Sequence, residues 1–308
     1  MREHNYFKPF LPLKDMNKKK ILVCGAGSIG IYLGVKLHAK NHEVQLYGRR
    51  KLKTVNDKII IEGKEFDIPK KLFKIIPNYD SDFIFITTKL YDLESIIKTI
   101  KKNKIKGKIF VGIQNGLVDV SKYSKQLGKK IIPVVVFSGF SLNHDEIHVT
   151  PTPIGWVIED SKNGREISKI LLEAGIPCRP SKKFDSLRAE KTIVNCCLNG
   201  LSGIENKTFK ELFKNKKIKE RILKIFNECY TILSSYYSLD SKDKIKERMF
   251  LHWNKLDHHS STCQDILSGR KTEIDFFNGH IVNLGKAKNL PIEENQKIVQ
   301  EVKEIVGK

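Results

Sequence analysis

The chain has 308 residues, enough for one large domain or two of ordinary size. Hydrophobic residues make up 40 % and charged residues 30 %, which excludes a disordered chain, and no apolar run approaches the ~20 residues of a membrane span. A formal net charge of +21 raises the question of nucleic acid, but lysine is spread along the whole chain, with no arginine- and aromatic-interleaved patch and no nucleic-acid motif. The charge is read as solvated faces whose field favours anionic ligands.

In chain order, residues 1–19 read as an extended leader (Phe7, Pro9, Phe10, Pro12) without the basic-then-apolar pattern of a secretory signal, so the expected location is the cytoplasm. Ile21–Cys24 is a short apolar run of the kind that forms a buried parallel strand. Gly25-Ala26-Gly27-Ser28-Ile29-Gly30 follows at once, and residues 29–40 then carry helical spacing, with Ile29, Leu33 and Leu37 on one face. A strand, a G-x-G-x-x-G turn and a helix in that order give the pattern its meaning. Gly25 permits the tight turn, Gly27 lets the backbone approach a pyrophosphate, Gly30 lets the helix pack on the strand, and the helix start offers free N–H groups to the anion. The competing reading is a generic glycine turn that binds nothing. A second strand, His42–Tyr47, runs into Gly48-Arg49-Arg50. An NAD site places a carboxylate there for the ribose hydroxyls, whereas a guanidinium pairs with a 2′-phosphate, so Arg49 favours NADP(H) over surface cations in a basic chain.

Further strands are expected at Asp82–Thr88, Lys108–Ile113 and Ile131–Phe137, with a helix at Leu93–Ile100. Strands alternating with helices argue for a doubly wound parallel sheet of Rossmann type. After Pro180 the texture changes to long amphipathic stretches without proline until Pro291. The expected division is the leader 1–19, an α/β nucleotide-binding domain 20–184 and an all-α domain 185–308. None of the six cysteines forms a CxxC pair, and His258-His259 has no ligand partner at metal spacing. The cysteines are therefore expected free and reduced, the histidines a loop or helix-end feature, and no metal site is expected.

Three polar clusters stand out: Thr87-Thr88-Lys89 and Gln114-Asn115-Gly116 at strand ends, and the helix from Arg188 to Asn199. In that helix Lys191, Asn195 and Asn199 stand at i, i+4 and i+8 and share one side. A lysine backed by two carboxamides can donate to and orient a carbonyl oxygen; the plainer reading is a solvent-facing helix side. Ser260-Ser261-Thr262-Cys263-Gln264-Asp265 and Thr272-Glu273-Ile274-Asp275-Phe276-Phe277-Asn278-Gly279 complete the set, with Pro291-x-Glu293-Glu294-Asn295 beyond. In this order the motifs resemble the ketopantoate reductase (2-dehydropantoate 2-reductase) family, from about residue 20 to residue 300.

The resemblance implies reduction of 2-dehydropantoate to (R)-pantoate with NADPH in pantothenate and coenzyme A biosynthesis, or of another 2-oxo acid or ketone on the same scaffold, with a non-catalytic NADPH-binding regulator as a third reading. It also implies that the helical domain is of the kind found at the C-terminal side of 6-phosphogluconate dehydrogenase. By the resemblance, Lys191 is the general acid and Glu273 contacts both the cofactor and the catalytic group. Asn195, Asn199 and Ser261 bind substrate, and Asn115 touches nicotinamide ribose and substrate. Gly25, Ala26, Gly27, Ser28, Ile29, Gly30, Arg49, Lys89 and Gly139 contact the cofactor. The implied partner is a small-molecule 2-oxo acid, with neither nucleic acid nor membrane; a homodimer is left open. The chain departs from the family at Gly200, where proline is common, and at Phe209, where some members place another substrate-binding Asn.

Overall fold

The computed structural model describes residues 18–48, 57–69, 71–72 and 77–307. Most of the leader and both Arg49 and Arg50 lie outside these. The first part is built on an eight-stranded sheet among the described residues. Its strands are β1 (Lys20–Cys24), β2 (Glu43–Tyr47), β5 (Lys71–Leu72), β6 (Asp80–Ile86), β7 (Lys106–Gly112), β8 (Ile131–Val136), β11 (Trp156–Glu159) and β12 (Cys178–Ser181), in the order β12-β11-β8-β7-β6-β1-β2-β5. Every neighbouring pair is parallel except β8 and β11, which run antiparallel. The sheet is the parallel-dominated one expected from the sequence, with one antiparallel pair towards this edge. The connection from β8 to β11 passes through a hairpin with no helix to carry the chain back across the sheet.

Alternation along β1 sends Ile21 and Val23 into the layer under α1 (Ser28–His38), and Leu22 and Cys24 into the layer under α2 (Leu93–Lys102) and α3 (Ser121–Leu127). A strand buried on both faces is why this run reads as continuously apolar. A second sheet, absent from the sequence reading, has four described strands in the order β4-β3-β10-β9. They are β3 (Lys58–Ile61), β4 (Lys64–Asp67), β9 (Gly139–Asn143) and β10 (Glu146–Thr150). Ile59, Ile61 and Ile147 drive one of its faces into the α1 layer. α4 (Lys162–Glu173), capped by Ser161, leads to β12.

From Phe184 the chain is helical: α5 (Phe184–Glu205), α6 (Phe209–Leu212), α7 (Lys216–Ser234), α8 (Lys242–Trp253), α9 (Ser261–Leu267), α10 (Asn278–Lys286) and α11 (Glu293–Val306). α5 is the central post, with Ile193, Cys196, Leu198 and Leu201 fully buried among the helices around it. Each such aliphatic side chain contributes about 1.5–3 kcal/mol by leaving water. Gly200 lets α11 pack tightly on it: a Cβ there would stand 2.4 Å from Ile298 Cγ2. Among the described residues no helix is long and apolar enough to cross a membrane.

Candidate active site

A cleft of about 920 Å³ runs between the carboxyl ends of β1, β6, β7 and β8 and the helices α5 and α9. The side chains and backbone that line it come from both parts of the chain, which is where an open α/β sheet holds a ligand.

At one end lies the glycine turn. Gly25 takes φ +128°, a left-handed conformation suited to glycine, and its N–H donates to the Tyr47 carbonyl at 2.9 Å. A Cβ on Gly30 would fall 1.8 Å from the Gly25 carbonyl oxygen, so the two glycines let α1 start directly against the turn. Gly25, Ala26, Gly27, Ser28 and Ile29 line the cleft, while Gly30 packs behind the turn. Thr87 braces the turn from β6, its hydroxyl donating to the Gly25 carbonyl at 2.9 Å. Three features fit a dinucleotide here: α1 begins with no side-chain cap and no acidic residue, space is open over Gly27, and Thr88 Oγ1 is buried with no partner among the described residues.

Across the cleft stands the polar face of α5. Lys191, Asn195 and Asn199 all line the cavity, each 7–8 % exposed. The solvent-facing alternative for this helix side is therefore set aside. Lys191 Nζ donates to Asn115 Oδ1 at 2.7 Å and to the Val136 carbonyl, and lies 5.4 Å from the Phe137 ring centre. Neither hydrogen-bond partner is charged, so burial pulls the amine down to about 7. The carboxamides of Asn195 and Asn199 hydrogen-bond no described side chain and are free to meet a ligand. Arg188, one turn before Lys191, donates to the Gly116 carbonyl at 2.9 Å and the Val118 carbonyl at 2.8 Å, tying α5 to the loop that carries Asn115.

The second lysine behaves in the opposite way. Burial opposes the charge of Lys89, but Glu273 and Asp265 outweigh it and hold its pKa above the ordinary value. Nζ of Lys89 is 2.8 Å from Asp265 and 3.2 Å from Glu273, and Arg270 holds the other oxygen of Asp265 at 3.0 Å. Glu273 also accepts from the Leu90 N–H at 2.8 Å. Its described bonds therefore reach the end of β6, while those of Lys191 go to Asn115 and Val136. One cleft thus holds a permanently cationic lysine and a lysine poised to exchange its proton.

Ser261 lines the cleft at the first turn of α9, and Gly139 lines it where β9 begins. The fixing residue at α9 is Ser260, not singled out in the sequence. Its hydroxyl accepts from the Cys263 N–H at 3.0 Å and donates to the Asn199 carbonyl at 3.0 Å, pinning α9 to α5. His258 and His259, read from sequence as a loop or helix-end feature, also line the cleft, as do Phe209, Trp253 and Leu256. His258 lacks any sequence signal because its neighbours at the cavity come from α6 and α8. Among the described residues no group of three or more His, Cys, Asp or Glu side chains could hold a metal ion.

Residues 21–156 match the family described as "Ketopantoate reductase PanE/ApbA" and residues 183–306 that described as "Ketopantoate reductase PanE/ApbA C terminal". The 2-dehydropantoate 2-reductase of Aquifex aeolicus (strain VF5) is 27 % identical over 302 residues, covering 92 % of this chain and 96 % of that protein. The enzyme of the same name from Archaeoglobus fulgidus is 22 % identical over 296 residues, covering 94 % and 98 %. Among solved structures, the PanE/ApbA family ketopantoate reductase from Ralstonia eutropha JMP134 superposes with a TM-score of 0.82 at 22 % identity, over 94 % of this chain and 98 % of that one. D-mandelate dehydrogenase in complex with NADH and anilino(oxo)acetate gives 0.80 at 19 % identity over the same shares, so the fold is shared by reductases of different substrates.

Proposed function

Because the chain belongs to the ketopantoate reductase family of oxidoreductases, we propose that it reduces 2-dehydropantoate to (R)-pantoate with NADPH, in the cytoplasmic route to pantothenate and coenzyme A. On this reading residues 20–184 hold the cofactor and residues 185–308 complete the substrate site. The observation that carries it is Lys191: a buried amine with a pKa near 7, held by Asn115 in the cleft that begins at the glycine turn.

Reducing a ketone requires hydride at carbon and a proton at oxygen. The nicotinamide, when bound, supplies the hydride. Gly25, Ala26, Gly27, Ser28 and Ile29, with Gly30 packed behind them, would receive the pyrophosphate, and Arg49 would pair with the 2′-phosphate. Lys89 and Gly139 would help hold the cofactor, and Glu273 holds Lys89 in place from the helical side. Protonated Lys191 donates from Nζ to the substrate oxygen as negative charge develops there, while Asn115 orients the amine. Asn195, Asn199 and Ser261 supply neutral donors and acceptors to the 2-oxo acid, and the nearby cations favour its carboxylate.

NADPH oxidation with 2-dehydropantoate is the direct measurement. Lys191→Ala is expected to lose about 10²–10⁴-fold in kcat, the usual contribution of a positioned acid, with NADPH affinity kept within a few-fold. Near-normal turnover in that variant would remove Lys191 from the reaction. Phe209, an apolar residue in the lining of the cleft, favours a second reading in which another 2-oxo acid is reduced on the same scaffold.

A further inference from the structure

Beyond the polar face of α5 the cleft changes character. Phe209 is 3 % exposed and meets the Trp253 ring edge-on at 5.3 Å and the His258 ring at 5.0 Å. Leu256 completes this wall. Backbone bonds fix its shape: Phe209 N–H donates to the His258 carbonyl at 3.2 Å, and Lys210 N–H to the Leu256 carbonyl at 2.9 Å. His258 also brings this wall close to the chain that leaves β8. His258 Nε2 stands 3.6 Å from the position of a Cβ on Gly139, and Gly139 follows closely after Val136, whose carbonyl accepts from Lys191. An acceptor with its carbonyl at Lys191 and its carboxylate among Asn195, Asn199 and Ser261 leaves this wall for the remaining substituent.

We infer that Phe209, Trp253 and Leu256 form an apolar subsite for the group on C3, and that the enzyme reduces 2-oxo acids bearing a bare branched-alkyl or aryl group about as well as a hydroxylated one. This rests on the reductase reading above. The physical ground is the asymmetry of hydroxyl recognition: a wall built to hydrogen-bond a hydroxyl rejects the analogue lacking it by roughly 10⁴–10⁵-fold, whereas an apolar wall separates neighbours only about 10–200-fold.

A matched pair tests it. 2-Dehydropantoate and 3,3-dimethyl-2-oxobutanoate differ only in the terminal hydroxyl, and kcat/KM for each is measured on the full chain at saturating NADPH. The expected values lie within about tenfold of one another, as apolar recognition allows. Phe209→Asn is expected to move the preference towards the hydroxylated acid by about tenfold or more, as a new hydrogen-bonding partner would. Should Phe209→Asn fail to fold, Trp253→Ala replaces it: this partly exposed last residue of α8 is expected to cost the unhydroxylated acid about fivefold in kcat/KM, the loss of an apolar contact, with NADPH affinity unchanged. A wild-type preference for 2-dehydropantoate above about a thousandfold overturns the inference, and its erasure by His258→Phe would show the imidazole reading the hydroxyl instead. Turnover of neither acid, with NADPH still bound, overturns the reductase reading itself and this inference with it.

Discussion

Lys191 and Lys89 share a cleft yet differ in what they can do, and their partners decide it. Lys89 faces two carboxylates, so its charge is locked in; Lys191 faces an amide and a carbonyl, so burial acts alone. A general acid with a pKa near 7 is protonated below neutrality, so reduction should hold a plateau below pH 7 and fall about tenfold per unit above it, as a pH–kcat/KM profile would show. The same depression has a stability side. Between pH 7 and the lysine's ordinary pKa the unfolded chain binds a proton that the folded chain does not, so folding is favoured as pH rises through that window. The Tm difference between the wild type and Lys191→Met should therefore narrow from pH 7 to pH 10, with the variant the more stable at the acid end. A pH-independent difference would mean that the amine is not desolvated. Arg49→Ala should weaken NADPH by about tenfold or more while sparing NADH, the loss of one charge-assisted phosphate contact, measured as the ratio of Kd values. Equal losses would place the 2′-phosphate elsewhere. At this scale the sequence was informative where spacing is local: Lys191, Asn195 and Asn199 share a helix side at any tertiary arrangement. The partners of Lys89 are 176 residues or more along the chain, and no local pattern joins them.

Among the elements, those that order the site are α5 and α9, and small polar groups join them. Ser260 caps α9 and bonds back to the Asn199 carbonyl, so one hydroxyl fixes both the start of α9 and its distance from the substrate face. Ser260→Ala should cost about 1–2 kcal/mol of stability, as lost caps do, and raise KM for the 2-oxo acid more than for the cofactor. Equal KM changes for the two would limit Ser260 to a purely structural part. The parallel strands β1, β6, β7 and β8 were legible because burial on both faces writes an apolar run into the sequence, and β2 because its apolar residues alternate after the first helix. The four strands of the small sheet were not, because they are four or five residues long and carry mixed patterns such as Lys64-Glu65-Phe66-Asp67. The sheet's two hairpins are local, but the β3–β10 pairing that joins them spans distant segments. The antiparallel pairing of β11 with β8 was equally invisible, since strand direction follows from the hairpin between them and not from composition.

As a whole molecule the protein is strongly basic, which suits the two anionic ligands proposed for its cleft. With a net charge of +21 the long-range field draws them in, and it shortens from about 10 Å at 0.1 M salt to about 3 Å at 1 M. The KM for NADPH should rise roughly three- to tenfold over that range, measured by initial rates. A constant KM would mean that the lysines serve only as solvated coating. The cleft is also bridged directly, by Lys89 to Asp265 and Glu273 and by Arg188 to the Gly116 and Val118 carbonyls, so both parts share its geometry. β3 lies beside β10, with Ile60 opposite Glu146 and Ile61 opposite Ile147. A ribosome delivers the first of these isoleucines long before its neighbour exists, so the early hairpin waits with an open edge. Closing so wide a loop is slow, and an unpaired edge invites association with other chains. A nascent chain can thus complete its glycine turn while the small sheet still lacks β9 and β10, which pair only once translation has passed Thr150.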